Sequence, residues 1–232
     1  MTAYVFDPAP QAAASVRGSA QRYAVQRIFC VGRNYAAHAR EMGGDPEREP
    51  PFFFNKTPAH LVSSGVTLPY ALETRDLQHE IELVVALGQP AFRVTPEQAQ
   101  DCVWAYACGL DMTRRDLQGA AKKKGQPWAF GKDFEGAAVL GELVPAHQIG
   151  HPARGAIELA VNGTRRQHGD LADMVWRVAE VVARLSRYYH LGPGDLIYTG
   201  TPEGVGPVQP GDRLTGRIEG VGEIELAIGQ SQ

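Results

Sequence analysis

From Leu77 to Leu87 the chain reads Leu-Gln-His-Glu-Ile-Glu-Leu-Val-Val-Ala-Leu, polar at first and then continuously apolar. Ile, Leu and Val crowded before Gly88 predict a buried strand. Strand side chains alternate between faces, so Glu80 and Glu82 point the same way. Two like charges side by side at the mouth of an apolar strand repel, and loss of water raises the cost for each. Either a solvated face or a bound cation relieves that cost.

The same patterning predicts the other elements. Residues 27–32 form an apolar strand ended by Gly32. Asn34 can cap a short helix over residues 36–42, which Gly43-Gly44 ends. The polar, Pro-rich stretch after it is an exposed loop. Residues 51–56 make a strand with a basic end at Lys56. Pro96 opens a helix at its first position. Residues 103–110 are small and apolar, a buried strand running into Asp111. A helix starts near Thr113 and stops at Gly125-Gln126-Pro127, and residues 128–132 follow in extended form. Ile157 to Val161 and then Asn162-Gly163 is a hairpin signal, with the return strand starting near Thr164. Leu171, Met174, Val175, Val178, Val181, Val182 and Leu185 recur at three- and four-residue steps, the stripe of one continuous helix. Residues 195–199 are a strand, residues 200–206 a loop, and residues 213–228 a strand pair around Gly220. Many short strands with two or three helices suggest an α+β fold with a folded-over sheet. Residues 1–27 read as a peripheral segment.

Composition narrows the classes. A chain of 232 residues can bury one sizeable core, and its net charge of −3 gives no electrostatic case for nucleic acid. The Lys122-Lys123-Lys124 run is a solvated helix face. No apolar run is long enough to span a membrane, and the N-terminus lacks a signal-peptide pattern. Cys30, Cys102 and Cys108 are odd in number and form no CxxC pair. They argue against a disulfide framework or a zinc site and fit a reducing cytoplasm.

Several residues could carry chemistry. Asp111 adds a third carboxylate at the end of an apolar strand. With Glu80 and Glu82 it makes a hard, all-oxygen set suited to Mg²⁺ or Mn²⁺. His38 and Glu41 are three apart on the expected helix and share a face, as a surface pair or as a water-activating base with its orienting carboxylate. Arg114, Arg115 and Gln118 follow Asp111 and could hold a substrate carboxylate, or one arginine could pair with Asp116. Lys132, among apolar neighbours, is a candidate for stabilising developing negative charge. Residues 199–206, Thr-Gly-Thr-Pro-Glu-Gly-Val-Gly, could cradle an anion or be a plain turn. They match neither phosphate-loop pattern, and no Gly-x-Ser-x-Gly elbow exists.

Five motifs occur in order: Cys30-Val-Gly-Arg-Asn-Tyr-Ala-Ala-His-Ala-Arg-Glu41, His79-Glu-Ile-Glu-Leu83, Gly109-Leu-Asp-Met-Thr-Arg-Arg-Asp116, Gly125-Gln-Pro-Trp128 with Gly131-Lys132, and Thr199-Gly-Thr-Pro-Glu-Gly-Val-Gly206. Together they resemble the fumarylacetoacetate hydrolase family, from about residue 27 to the end. Within it, residues 48–54 and 113–118 look most like the branch that cleaves fumarylpyruvate in gentisate breakdown, with the acylpyruvase and oxaloacetate decarboxylase branch close behind. A 2-hydroxyhepta-2,4-diene-1,7-dioate isomerase-like activity is a further alternative.

The resemblance implies a β-rich mixed β-sandwich roll, with residues 28–232 as one catalytic domain, usually in a cytoplasmic homodimer. It implies Mg²⁺ or Mn²⁺ on Glu80, Glu82 and Asp111, and catalysis by His38, Glu41 and Lys132, the first two on a mobile lid. Arg33, Arg115, Gln118 and Thr201 are the implied contacts to a small diketo acid. The implied reaction is hydrolysis of the C–C bond of a 2,4-diketo acid. Three positions depart from the family pattern. Asp133 beside Lys132 could weaken that lysine's charge. Gln78 stands where an aromatic residue or His is common. Asp170-Leu-Ala-Asp173 replaces a Ser/Thr-rich helix start.

Overall fold

The computed structural model describes residues 3–35 and 50–232. The expected helix over residues 36–42, with His38 and Glu41, lies outside the described residues.

The Ile81–Leu87 strand is buried at every position, as its unbroken apolar run requires. Ile81, Leu83, Val85 and Leu87 join the larger apolar core, while Val84 and Ala86 join a second cluster with Ile28, Cys30 and Tyr198. The strand lies in the middle of an eight-stranded sheet. It pairs antiparallel with Val103–Asp111 on one side and with Asp195–Tyr198 on the other. Asp195–Tyr198 in turn pairs parallel with Arg27–Gly32, and Arg27–Gly32 antiparallel with Phe52–Lys56.

A five-stranded sheet covers one face. Its Ala156–Val161, Arg213–Ile218 and Gly222–Gly229 strands alternate buried and exposed side chains, the pattern of a sheet with one dry face. Asn162 and Gly163 both have positive φ, 52° and 76°, as the expected hairpin turn demands. The architecture is therefore the expected strand-rich roll with few helices. Residues 13–15 and 22–24 pair as a small hairpin, and Ala14, Val16 and Val25 are buried in the second cluster.

Two local expectations are corrected. The Leu171 to Leu185 stripe is not one helix. A 3-10 turn covers Leu171–Asp173, and the α-helix begins only at Val178 and runs to Leu185. Asn34 accounts for the break. Its carbonyl accepts from Val175 N at 2.8 Å, and its side-chain oxygen accepts from Trp176 N at 2.7 Å. Its amide nitrogen donates to Trp176 O at 2.8 Å. These bonds satisfy backbone groups that a continuous helix would have paired internally. Likewise residues 128–132 are not extended. Ala129–Lys132 is a single helical turn, with Lys132 N donating to Trp128 O at 2.9 Å. That turn buries Lys132 and leaves Phe130 exposed.

The decisive feature for the site is a crease. The single strand expected over residues 77–87 is two strands, Leu77–His79 and Ile81–Leu87, separated at Glu80. Leu77–His79 leaves the large sheet and pairs with Thr113–Arg114 and Gly206–Pro207. Val103–Asp111 and Thr113–Arg114 are divided at the same level, and Asp111 N donates to Glu80 O at 2.9 Å.

Candidate active site

Glu80, Glu82 and Asp111 converge on that crease. One carboxylate oxygen from each lies within 4.8 Å of the others, and all three residues are buried. Glu82 stands opposite Gly109 on the neighbouring strand, two residues before Asp111, so alternation puts Glu82 and Asp111 on one face. Glu82 Oε2 accepts from Gly200 N at 2.7 Å. Gly200 has φ 98°, and a Cβ there would stand 2.7 Å from that of Asn34, so only glycine brings this N–H to the carboxylate.

Three cations face the three acids. Lys132 Nζ donates to Glu80 Oε2 at 2.7 Å, to Asp111 Oδ2 at 2.8 Å and to Thr113 Oγ1 at 2.7 Å. Arg115 donates to Glu80 Oε1 through Nη2, to Gln78 Oε1 at 2.8 Å through Nε, and to Gln118 Oε1 at 2.7 Å through Nη1. Lys56 Nζ lies 2.7 Å from Asp111 Oδ1, outside hydrogen-bond alignment, and donates to Met112 O at 3.2 Å.

Burial, reinforced by Asp111 and Glu80, pushes the Glu82 carboxyl well above its ordinary pKa. For Lys132, burial works against the charge, but Asp111 and Glu80 outweigh it and hold the ammonium above the usual lysine value. A crowded carboxylate set with one acid pushed towards its neutral form is a place where added positive charge is favourable. The donors are all hard oxygens, so the residues fit Mg²⁺ or Mn²⁺ and not zinc or copper.

Of the other expected residues, Arg33, Arg115, Gln118, Lys132 and Thr201 line one cavity with Glu80 and Glu82. Gln118 Oε1 is occupied by Arg115, which leaves its amide N–H₂ for a ligand. Thr201 Oγ1 accepts from Gln167 Nε2 at 2.8 Å, so its hydroxyl proton is also available. Arg114 stands apart: its guanidinium lies 4.4 Å from the centre of the Phe134 ring, and Nη1 reaches Phe130 O. Asp116 pairs with neither arginine; it accepts from Thr74 Oγ1 at 2.6 Å and from Arg75 N at 3.0 Å. Asp133 does not weaken Lys132. It is turned to Thr57 N, Thr57 Oγ1 and His60 Nδ1, at 2.8, 2.7 and 2.7 Å. His38 and Glu41 lie outside the described residues.

Some residues at the site carried no sequence signal of their role. Lys56 read only as the basic end of a strand. Phe54 and Trp128 form an aromatic wall of the cavity, with Phe52 edge-on to Trp128 at 4.9 Å between ring centres. Gln167, fully buried, donates to Thr201 Oγ1 and Pro202 O and accepts from Ile81 N. Its Oε1 also meets His79 Nδ1 at 2.8 Å, so that nitrogen carries the proton.

The profile of the family described as "Fumarylacetoacetate (FAA) hydrolase C-terminal" matches residues 27–228. The chain belongs to the fumarylacetoacetate hydrolase family. Among its relatives in that family, a fumarylpyruvate hydrolase of Ralstonia sp. is 50% identical over 188 residues, 81% of this chain and 97% of the relative. An oxaloacetate tautomerase of Escherichia coli K12 is 38% identical over 205 residues, 88% of this chain and 93% of the relative. The crystal structure of fumarylpyruvate hydrolase from Pseudomonas aeruginosa in complex with Mn²⁺ and pyruvate superposes with a TM-score of 0.96 at 49% identity, over 98% of this chain and 100% of that one.

Proposed function

We propose that this member of the fumarylacetoacetate hydrolase family is a divalent-metal-dependent hydrolase that cleaves fumarylpyruvate to fumarate and pyruvate. The observation that carries the reading is Lys132: its ammonium shares Glu80 and Asp111 inside a chain 50% identical over 188 residues to a fumarylpyruvate hydrolase. In this reading Glu80, Glu82 and Asp111 hold Mg²⁺ or Mn²⁺. When bound, the metal supplies Lewis-acid polarisation of the diketo acid.

The chain's own groups do the rest. Arg33, Arg115, Gln118 and Thr201 orient the substrate oxygens. His38, steadied by Glu41, removes a proton from water as its oxygen attacks the 4-carbonyl carbon. The C3–C4 bond breaks, and its electron pair passes into the pyruvate enolate. Lys132 balances that charge, and the aromatic wall of Phe54 and Trp128 keeps water away. Protonation at C3 gives pyruvate, and the acyl fragment leaves as fumarate. The reading has the enzyme act in gentisate breakdown, in the cytoplasm, as a homodimer with residues 28–232 as its catalytic domain. Its three described cysteines are free and buried, in keeping with a reducing compartment.

A second reading, decarboxylation of oxaloacetate, releases CO₂ and leaves the same pyruvate enolate without activated water; the oxaloacetate tautomerase relative supports oxaloacetate as a ligand of such a site. Product analysis separates the two. General-base assistance is worth about 10²–10⁴-fold, so His38→Ala should lose that much fumarylpyruvate cleavage. Turnover of oxaloacetate should fall far less, and Lys132→Met should damage both. Fumarylpyruvate cleavage at the wild-type rate in His38→Ala would remove the water-activation role. Wild-type enzyme that turns over oxaloacetate but leaves fumarylpyruvate intact would favour the second reading.

A further inference from the structure

A second cleft, of about 630 Å³, lies away from the carboxylates and is lined by Arg93, Trp176, Glu180, Arg184 and Arg187 with small apolar neighbours. Three arginines and one carboxylate line it, and the Arg93 guanidinium lies 5.2 Å from the centre of the Phe92 ring. That carboxylate is already engaged, because Glu180 Oε2 accepts from Arg177 N at 2.9 Å at the start of the Val178–Leu185 helix. Arg184 Nε is buried and, among the described residues, has no hydrogen-bond acceptor. A buried donor without a partner is costly in a folded protein.

The frame is rigid. Arg93 N donates to Ser186 O at 3.0 Å, and Val94 N to Ser186 Oγ at 3.3 Å. Ser186 Oγ itself donates to Ala183 O at 2.8 Å. Arg93 is held at φ 52°, in the left-handed region that a residue with a side chain adopts only under constraint. The constraint fixes the backbone of one arginine on the loop opposite the two on the helix side. Guanidinium forks match carboxylate and phosphate oxygens in pairs.

We propose that this cleft binds a small multivalent oxyanion, a dicarboxylate or a phosphate, between Arg93, Arg184 and Arg187. The site is separate from the catalytic cavity and does not depend on the reaction assigned there. It nevertheless borders on the same framework. Trp176, on the cleft wall, is bonded through both its backbone groups to Asn34, the neighbour of cavity-lining Arg33.

Calorimetric titration of the Mn²⁺-loaded full chain with inorganic phosphate and with succinate, at constant ionic strength, tests the proposal. Arg93 and Arg187 are both exposed, so Arg93→Gln/Arg187→Gln keeps the fold while removing two of the three forks. The expected result is saturable binding of at least one anion, weakened roughly tenfold or more in the double variant. Whether phosphate or succinate saturates names the source. If neither saturates, or if the double variant binds as well as wild type and so places the anion in the catalytic cavity, the proposal is overturned.

Discussion

Lys56 donates to the backbone carbonyl of Lys132 while its ammonium lies 2.7 Å from Asp111 Oδ1. One fully buried cation thus ties a site carboxylate to the helical turn that delivers a second ammonium. Removing one partner of a buried ion pair costs up to about 3–5 kcal/mol, and without Lys56 only Lys132 balances Asp111. Lys56→Met should lose stability on that scale in urea titrations of the metal-free protein. Adding Asp111→Asn should restore part of it, because the excess buried negative charge is gone. A Lys56→Met protein within about 1 kcal/mol of wild type would show that the tie contributes nothing.

The carboxylates should act as one unit towards the cation. Glu82→Gln and Asp111→Asn each replace a charged oxygen in a set confined within 4.8 Å. Mn²⁺ affinity, read by calorimetry, should fall by more than the roughly 10–100-fold typical of losing an outer-shell partner. Catalytic activity should fall in parallel. Unchanged Mn²⁺ affinity in both variants would move the metal elsewhere.

Asp133 supplies a pH signature. Burial opposes its charge, but the N–H and hydroxyl of Thr57 and the His60 ring outweigh that and hold its carboxyl below the usual range. A carboxylate depressed in the folded state adds stability that is present above its unfolded pKa. That stability is lost as pH falls through the lower folded value. Wild type should therefore be more stable than Asp133→Asn at neutral pH, and thermal melts of the two should converge in strong acid. Activity should hardly change, since Asp133 faces away from Lys132. A constant gap down to the most acidic melt would refute the assignment.

The aromatic wall depends on Gly32. A Cβ at Gly32 would stand 2.1 Å from Phe52 Cζ, so Gly32→Ala must push that ring off Trp128. Overpacking of this kind costs about 1–3 kcal/mol. A lower melting temperature together with a reduced kcat/KM is expected. A destabilised variant with unaltered kcat/KM would remove the wall from the chemistry.

What the sequence disclosed and what it hid have physical reasons. Glu80, Glu82 and Asp111 were legible because strand alternation is local and acids at the ends of apolar runs are conspicuous. Arg115 and Gln118 followed from their place one turn beyond Asp111. Gln167 was not legible. It lies in a polar strand whose nearest neighbours are exposed, and only the packing of that strand under the Thr201 loop buries it. Lys56 needs the Phe52–Lys56 strand to lie beside Arg27–Gly32 before it can reach Asp111. The helix break before Val178 was hidden for a related reason. The apolar stripe is real, but Asn34, distant in sequence, captures the backbone groups that would have continued the helix.

In the proposed metal site, the crease at Glu80 and Asp111 would make ion choice a property of the backbone. Both strands cross from the large sheet to the small one at this level, joined by Asp111 N to Glu80 O. The spacing of the carboxylates is therefore gauged by the angle between two sheets. Mg²⁺ takes oxygens at about 2.0–2.1 Å and Ca²⁺ at about 2.3–2.6 Å. A substitution that flattens the crease would change which ionic radius is accepted while every ligand is still in place. The fold acts here as a calliper.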